Sequence, residues 1–439
     1  MAIFPNLPLL EDVSALVLKA KVGDLDKFVF VCVQHLLETT GSLFEALLEL
    51  GVPPKHIYVL GKTYSTIPKV ESGLRSSGIQ VRNIPPGTNE GYRQQMETAC
   101  EKLWKEVERR LPERIKGIIV LDEGGFCLKA IPQALLSRLN VVGVEQTRSG
   151  LRYKESFRFP VILVASCAAK RYFEPPIISR EIESVLTAKV IGKSDKTYGV
   201  LGLGSIGQSV TSMLLKCGKR VCVYDRNHNK MELLQMGTSS VTSCSSCEDF
   251  IRKSDVVFGC TGQDALSKLN FDAIGRTAEK QMISCSSGDI EFLTLLKRSR
   301  QNVPNNNQFA NATVTVGGNV FVVHNGGCPI NFNRAREVSS PAEIQFTRAL
   351  LFGGIIQAIM GANHKPALHG SEQLSPIFQK YVIEKWLESD PKRKNDYSPA
   401  VLWGANNRHW ITTHSGGKDF GIMEEAGLQF QSMTGTDFQ

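Results

Sequence analysis

No apolar run in this 439-residue chain approaches the ~18 residues that a membrane-spanning helix needs, and its first residues lack a basic stretch followed by an apolar core. A membrane is therefore not an expected partner, and the expected compartment is the cytoplasm. Blocks of like charge are missing as well. The net charge is +8, and the densest basic run, Lys392-Arg393-Lys394, reads as a solvated face. With no recognition motif beside it, nucleic acid is not expected either. A single C-x-x-C, Cys244-Ser-Ser-Cys247, has no second pair and no histidine at zinc spacing, so no metal is expected. The eleven cysteines are scattered through apolar segments, as at Cys222, Cys260 and Cys285, which suits small buried side chains in a reducing compartment. The chain also lacks repeats of solenoid period and low-complexity segments.

What is present is an ordinary globular composition, 42% hydrophobic and 21% charged, with length for two or three domains at ~150 residues each. The sharpest local signal spans 197–225. Gly202, Gly204 and Gly207 form G-x-G-x-x-G. The apolar run Tyr198 to Leu201 precedes them as a buried strand, and Ile206, Val210, Met213 and Leu214 follow at helical spacing. Gly218 stops that helix, Val221 to Tyr224 reads as the next parallel strand, and Asp225 closes it. A dinucleotide turn needs this context: a tight turn at Gly202, close approach of a pyrophosphate at Gly204, and helix–strand contact at Gly207. The N–H groups and positive dipole end at Ser205 and Ile206 suit phosphates. A carboxylate at Asp225 suits the two ribose hydroxyls and repels a 2′-phosphate, so the expected cofactor is NAD. Arg226 reads as a cover for the adenine face or as a solvated charge.

Upstream, strand and helix patterns alternate. Lys27 to Val33, His56 to Leu60, Ile115 to Leu121, Val141 to Val144 and Pro160 to Val164 read as strands. Residues 35–51 and 89–112 read as helices, Ser72 to Ser77 lies near the end of another, and residues 1–25 give no clear pattern. Residues 180–192 read as a helix leading into the cofactor unit, which continues through Asp255 to Gly262 and Met282 to Gly288. Thr313 to His324 reads as two strands joined at Gly317-Gly318, and Pro341 to Met360 as one long apolar helix. The fold class is therefore α/β. It has two doubly wound domains, with a Rossmann NAD-binding domain (186–345) inserted into a discontinuous α/β substrate domain (1–185 and 346–439). Polar residues collect just beyond the strand ends, where open α/β sheets place ligands.

Several stretches in one order resemble the adenosylhomocysteinase family: the helix from His35 to Gly51, Asp122-Glu-Gly-Gly125, Glu145-Gln-Thr-Arg-Ser-Gly150, Lys170 to Glu181, the glycine turn, Cys260-Thr-Gly262, Ser286-Ser-Gly-Asp289 and the turn 325–329. The resemblance implies a substrate domain, a nicotinamide domain and a tightly held NAD. The implied chemistry is hydride removal from a ribose 3′-hydroxyl, proton loss at C4′, loss of a 5′ thiol, addition of water and return of the hydride. By that resemblance Lys170 assists loss of the hydroxyl proton with Glu174 beside it, Glu123 lies near C4′, and His35 lies near the leaving group. Thr147, Thr261, Gly262 and Asn325 join the glycine turn as cofactor residues. The chain departs from the family at Gln146 (a glutamate there), Pro175 (an asparagine), Ser179 (a cysteine), Asp289 and Cys328 (histidines), and at Leu37 and Thr39, where the base is met. The family's C-terminal Lys…Tyr tail has no match in Phe430 to Gln439.

The function expected is an adenosylhomocysteinase-like NAD-dependent hydrolase acting on a thioether nucleoside or a related substrate. Two alternatives stand beside it: a non-catalytic NAD-binding paralogue that acts through a protein partner, and an NAD-dependent hydroxy-acid dehydrogenase. The expected partners are a small nucleoside-like molecule and further copies of this chain.

Overall fold

A computed structural model describes residues 4–20, 22–84, 91–187, 196–237, 239–302, 308–363 and 370–393. The chain divides into two compact units, with boundaries after Ile84, Gln95, Glu174 and Asn333. The unit that holds the N-terminal residues takes back the chain after Asn333, and the other is inserted.

The first unit is built on a seven-stranded, wholly parallel sheet. Its strands are β1 (Phe28–Gln34), β2 (Ile57–Gly61), β3 (Gln80–Arg82), β4 (Gly117–Asp122), β5 (Asn140–Glu145) and β6 (Val161–Leu163), with a last strand at Ser371–Gln373. Their order places β1 between β2 and β4, and the last strand at the edge beside β6. β1, β2 and β4 are buried at every residue, on both faces, as parallel strands covered by helices must be. From β1 the chain winds outward through β2 and β3, then returns to β4 on the other side. The topological switch point therefore lies between β1 and β4.

The second unit repeats the plan. Its strands are β7 (Tyr198–Leu201), β8 (Val221–Tyr224), β9 (Val241–Ser243), β10 (Val256–Gly259), β11 (Lys280–Ser284), β12 (Ala312–Val316) and β13 (Asn319–Val323). All pair parallel except the β12–β13 hairpin, whose turn is Gly317-Gly318. The strand order sets β7 between β8 and β10, so this sheet's switch point lies between β7 and β10.

Several elements differ from the sequence-based reading. The helix expected over 180–192 begins at Ala168 and ends at Leu186, with Pro175 and Pro176 inside it. Its Ile182 and Leu186 pack in the core of the second sheet, so the boundary falls at 174 rather than 185. The long helix, Pro341–Asn363, packs as a whole on β4, β5 and β6, which moves the return from 345 to 333. At 23 residues it is long and apolar enough to cross a membrane, contrary to the expectation of no such run. It is buried along most of its length because it is the central core helix of its unit, apolar all round. A helix at Pro8–Ala20 packs on it, where the first 25 residues had given no pattern. Arg393 is no part of a solvated face. It is buried, donates to the Trp386 and Ala342 carbonyls, and pairs with Glu343 at 2.9 Å; Lys394 and Phe430 to Gln439 lie outside the described residues.

Candidate functional site

His35 and Glu123 flank the switch point of the first sheet, and the glycine turn and Thr261-Gly262 flank that of the second. In the first unit His35 is the first residue past β1, Lys62 the first past β2, Glu123 past β4 and Gln146 past β5, so one edge of the sheet gathers all four. His35 was expected at a helix start, but the helix begins at Glu38, and the side chain turns instead toward the neighbouring strand ends. Its Nε2 is 2.6 Å from Glu123 Oε1, and its Nδ1 meets Ser65 Oγ. The same carboxylate oxygen accepts from Lys62 Nζ at 2.8 Å, while Gln146 Nε2 stands 3.4 Å from Oε2. Lys62 Nζ also lies 3.3 Å from the Tyr64 hydroxyl.

The electrostatics follow from enclosure and pairing. Lys62 and Glu123 are each 1% exposed. Burial alone would discharge both, but each is the other's counter-charge. The Glu123 carboxyl is held far below its ordinary range by His35 and Lys62, and Lys62 is pushed up mainly by Glu123. Burial lowers His35, with Lys62 and Arg348 acting in the same direction against Glu123. Glu123, expected near C4′, is enclosed, with one carboxylate oxygen shared between His35 and Lys62.

Lys170 and Glu174 lie one turn apart on the helix that follows β6 and form an ion pair, with side chains 9% and 16% exposed. The other oxygen of Glu174 accepts from Thr347 Oγ1 at 3.0 Å. The next residue, Arg348, donates through Nε to Thr39 Oγ1 at 2.9 Å, and Thr39 donates its N–H and hydroxyl to Glu337 at 2.8 and 2.6 Å. Position 39, expected to meet a base, is thus bound within the unit. Leu37 is the N-cap of the helix beginning at Glu38 and is buried. Thr147 is likewise engaged: its N–H and hydroxyl both donate to Glu145 Oε1, at 2.7 and 3.0 Å.

Behind these residues lie two carboxyl groups. Asp122 and Glu145 are register partners on β4 and β5, both fully buried. Asp122 accepts from the Leu128 N–H and Glu145 from the Gly124 N–H, but Asp122 Oδ1 and Glu145 Oε2 have no hydrogen-bond partner among the described residues. Burial pushes Asp122 up to about 6 and Glu145 well above its ordinary value.

In the second unit the glycine turn leaves β7 at the switch point. Gly202 has φ +93°, which favours glycine, and its N–H donates to the Tyr224 carbonyl at 2.8 Å. A Cβ on Gly207 would stand 1.9 Å from the Gly202 carbonyl oxygen, so the helix Ser205–Lys216 can lie this close only with glycine there. A Cβ on Gly204 would meet nothing within 4 Å, and Ser205 and Ile206 stand in the first turn of the helix, where backbone N–H groups have no intrahelical acceptor. Asp225 accepts from the Leu203 N–H at 2.6 Å and the Asn227 N–H at 2.8 Å, and its side chain stays 15% exposed. It braces the glycine turn from the end of β8 and keeps lone pairs to spare.

Across the switch point, Thr261 and Gly262 follow β10. Buried Glu291 holds both: it accepts from the Thr261 N–H at 2.9 Å and hydroxyl at 2.8 Å, and from the Gly262 N–H at 2.9 Å. Asn325, with φ 51°, donates its side-chain amide to the Pro329 and Phe332 carbonyls, so that amide organises its own loop. Cys328 is buried in the same loop. Asp289 accepts from the Tyr92 N–H at 3.3 Å. Ser179 contacts Ser209 at 2.9 Å.

Sequence reasoning missed Lys62, Ser65, Arg348 and Glu291. Lys62 carried a usable signal, a lone cation immediately past a buried parallel strand. Arg348 and Glu291 carried none, because their partners are distant in sequence.

Residues 197–288 match the model of the family described as NADP oxidoreductase coenzyme F420-dependent. Two uncharacterized proteins of Mycobacterium tuberculosis, from strains CDC 1551 / Oshkosh and ATCC 25618 / H37Rv, are each 28% identical over 383 residues, covering 85% of this chain and 72% of theirs. Among solved structures, an L-alanine dehydrogenase is similar at TM-score 0.32 and 14% identity, covering 73% of this chain and 89% of its own. A D-lactate dehydrogenase from Treponema pallidum is similar at TM-score 0.31 and 16% identity, covering 61% and 93%. The second unit is a Rossmann-type fold like that of the NAD(P)-dependent oxidoreductases, and the chain as a whole comprises two α/β units.

Proposed function

We propose that this chain is an adenosylhomocysteinase-like enzyme, with a nicotinamide dinucleotide held by the second unit and a hydroxylated, nucleoside-like substrate held by the first. The observation that carries the reading is that the His35–Glu123 pair and the glycine turn each lie at the switch point of their own sheet. Where a doubly wound sheet opens a crevice, one unit presents the glycine turn and the other presents His35, Lys62, Glu123 and Gln146.

The second unit's residues fit a dinucleotide. The space at Gly204 and the first-turn N–H groups suit a pyrophosphate, and Asp225 suits a ribose diol and favours NAD over NADP. When bound, NAD supplies reversible hydride acceptance, which makes transient oxidation of a secondary hydroxyl available. The chain's own residues then handle protons. Lys170, paired with Glu174, assists loss of a hydroxyl proton in this reading: it passes its own proton to Glu174 and takes the hydroxyl's in its place. Glu174 accepts that proton on the oxygen facing Lys170 while Thr347 donates to the other. His35 exchanges a proton beside the reacting carbon, oriented by Glu123.

The test is direct. Mass spectrometry of small molecules released on denaturing the purified protein is expected to show NAD. Incubation with S-adenosylhomocysteine and a nucleoside panel is expected to give a transient NADH absorbance without net NAD consumption, abolished by Lys170→Ala. Stoichiometric NADH accumulation with hydroxy acids would instead support a simple dehydrogenase. Silence on both panels with NAD present would support a binding protein.

A further inference from the structure

We propose that Lys62 is a positioning residue: by sharing one oxygen of Glu123 with His35, it keeps that carboxylate ionised and keeps His35 neutral with its proton on Nε2. This rests on the reading of His35 as a proton-handling group.

The argument begins with a proton count. An ionised carboxylate offers only acceptors, so the proton between His35 Nε2 and Glu123 Oε1, 2.6 Å apart, belongs to the imidazole. Lys62 Nζ, 2.8 Å from that oxygen, makes protonation of Glu123 still less favourable. Two forms of His35 remain. If neutral, its Nδ1 accepts from the Ser65 hydroxyl; if charged, its Nδ1 donates to Ser65 Oγ.

The surroundings decide between them. Glu123 draws a proton to the ring. Lys62, at the end of β2, and Arg348, on the helix Pro341–Asn363, oppose it, and the Tyr64 ring packs edge-on at 5.5 Å. Arg348 is largely answered by Glu337, 3.5 Å away. Lys62 is therefore the cation that counts, because the carboxylate it touches is the one His35 touches. Burial adds to the cost of an imidazolium and points the same way. Held so, His35 is a proton acceptor through Nδ1, relayed by Ser65, rather than a donor to a leaving group.

The experiment reads the ring directly, by nitrogen-15 NMR of the full chain labelled at its eight histidines, with His35→Gln assigning the signal. Wild type is expected to show a neutral Nε2–H ring from about pH 8 to about pH 5, below the ordinary histidine midpoint. Lys62→Gln removes the charge but keeps a donor, and is expected to bring His35 into titration with its midpoint raised by about one unit or more. Lys62→Arg is expected to restore the wild-type signal. A charged His35 in wild type at neutral pH overturns the proposal, whether or not any variant folds. So does an unchanged ring in a folded Lys62→Gln. Neither measurement uses nucleoside turnover, so an inactive protein with a neutral Nε2–H His35 would refute the functional reading and leave this one standing.

Discussion

Two glycines three residues apart should respond to the same methyl group in opposite ways. At Gly204 the backbone is extended, with φ −73° and ψ −173°, which alanine adopts without strain, and the added carbon meets nothing within 4 Å. Gly204→Ala is therefore expected to fold as well as wild type, or better by ~0.4–1 kcal/mol because the unfolded chain loses freedom. A phosphate that hydrogen-bonds the backbone there sits ~3 Å from nitrogen, whereas a methyl needs ~3.5–4 Å of clearance. Displacement of that size weakens charge-assisted hydrogen bonds worth ~1.5–3 kcal/mol each, so binding is expected to fall at least about tenfold. Gly207→Ala places its carbon 1.9 Å from a backbone oxygen, which can yield only if the helix moves off β7. That variant is expected to lose stability by ~1–3 kcal/mol or more. Thermal unfolding without ligand and fluorescence titration with NADH separate the two effects. If Gly204→Ala binds NADH as wild type does, no pyrophosphate lies against that residue, and the cofactor assignment fails. If Gly207→Ala is as stable as wild type, the contact between helix and strand is not what the glycine serves.

Asp122 provides a pH test. Its folded value, about 6, lies above the ordinary 3.8, so its contribution to stability is full below the unfolded value and is lost as pH rises through about 6. Asp122→Asn removes that loss, and is expected to gain on wild type by up to about 3 kcal/mol between about pH 4 and pH 7 in urea titrations; a constant difference across that range would contradict the burial argument. Glu337→Gln leaves Arg348 buried without its counter-charge and is expected to cost ~3–5 kcal/mol, much of it regained with Arg348→Met. Additive single-variant losses in that cycle would show that the two side chains do not act as a pair. Asp225→Ser removes the carboxylate that we propose meets the ribose, and is expected to shift the ratio of NADH to NADPH affinity toward NADPH by about tenfold; an unchanged ratio would place the 2′-position elsewhere.

Much of the second unit was legible in one dimension because its determinants are local. Gly202 and Gly207 each answer a backbone requirement within six residues, and Tyr198 to Leu201 and Val221 to Tyr224 are continuous apolar runs that suit buried parallel strands. Helix ends were less legible. The helix Ala168–Leu186 runs through Pro175-Pro176, which sequence rules read as an interruption, because packing of Ile182 and Leu186 compensates for the lost backbone hydrogen bonds. The long helix at Pro341 was recognised, but not Arg348 within it, a cation whose partners Thr39 and Glu337 lie 309 and 11 residues away.

The amino-acid sequence by itself determined the alternation of strands and helices, the dinucleotide-type turn and the presence of His35, Glu123, Lys170 and Glu174, since each depends on neighbours in the chain. Strand order was decided only by the tertiary structure. By returning to β1 with β4, and to β7 with β10, the fold brings His35 against Glu123, and the Gly202 turn beside Thr261 and Gly262. Lys62 acquires its role the same way: a buried ammonium is tolerable only beside a carboxylate, and the carboxylate it meets is supplied by a strand 61 residues on.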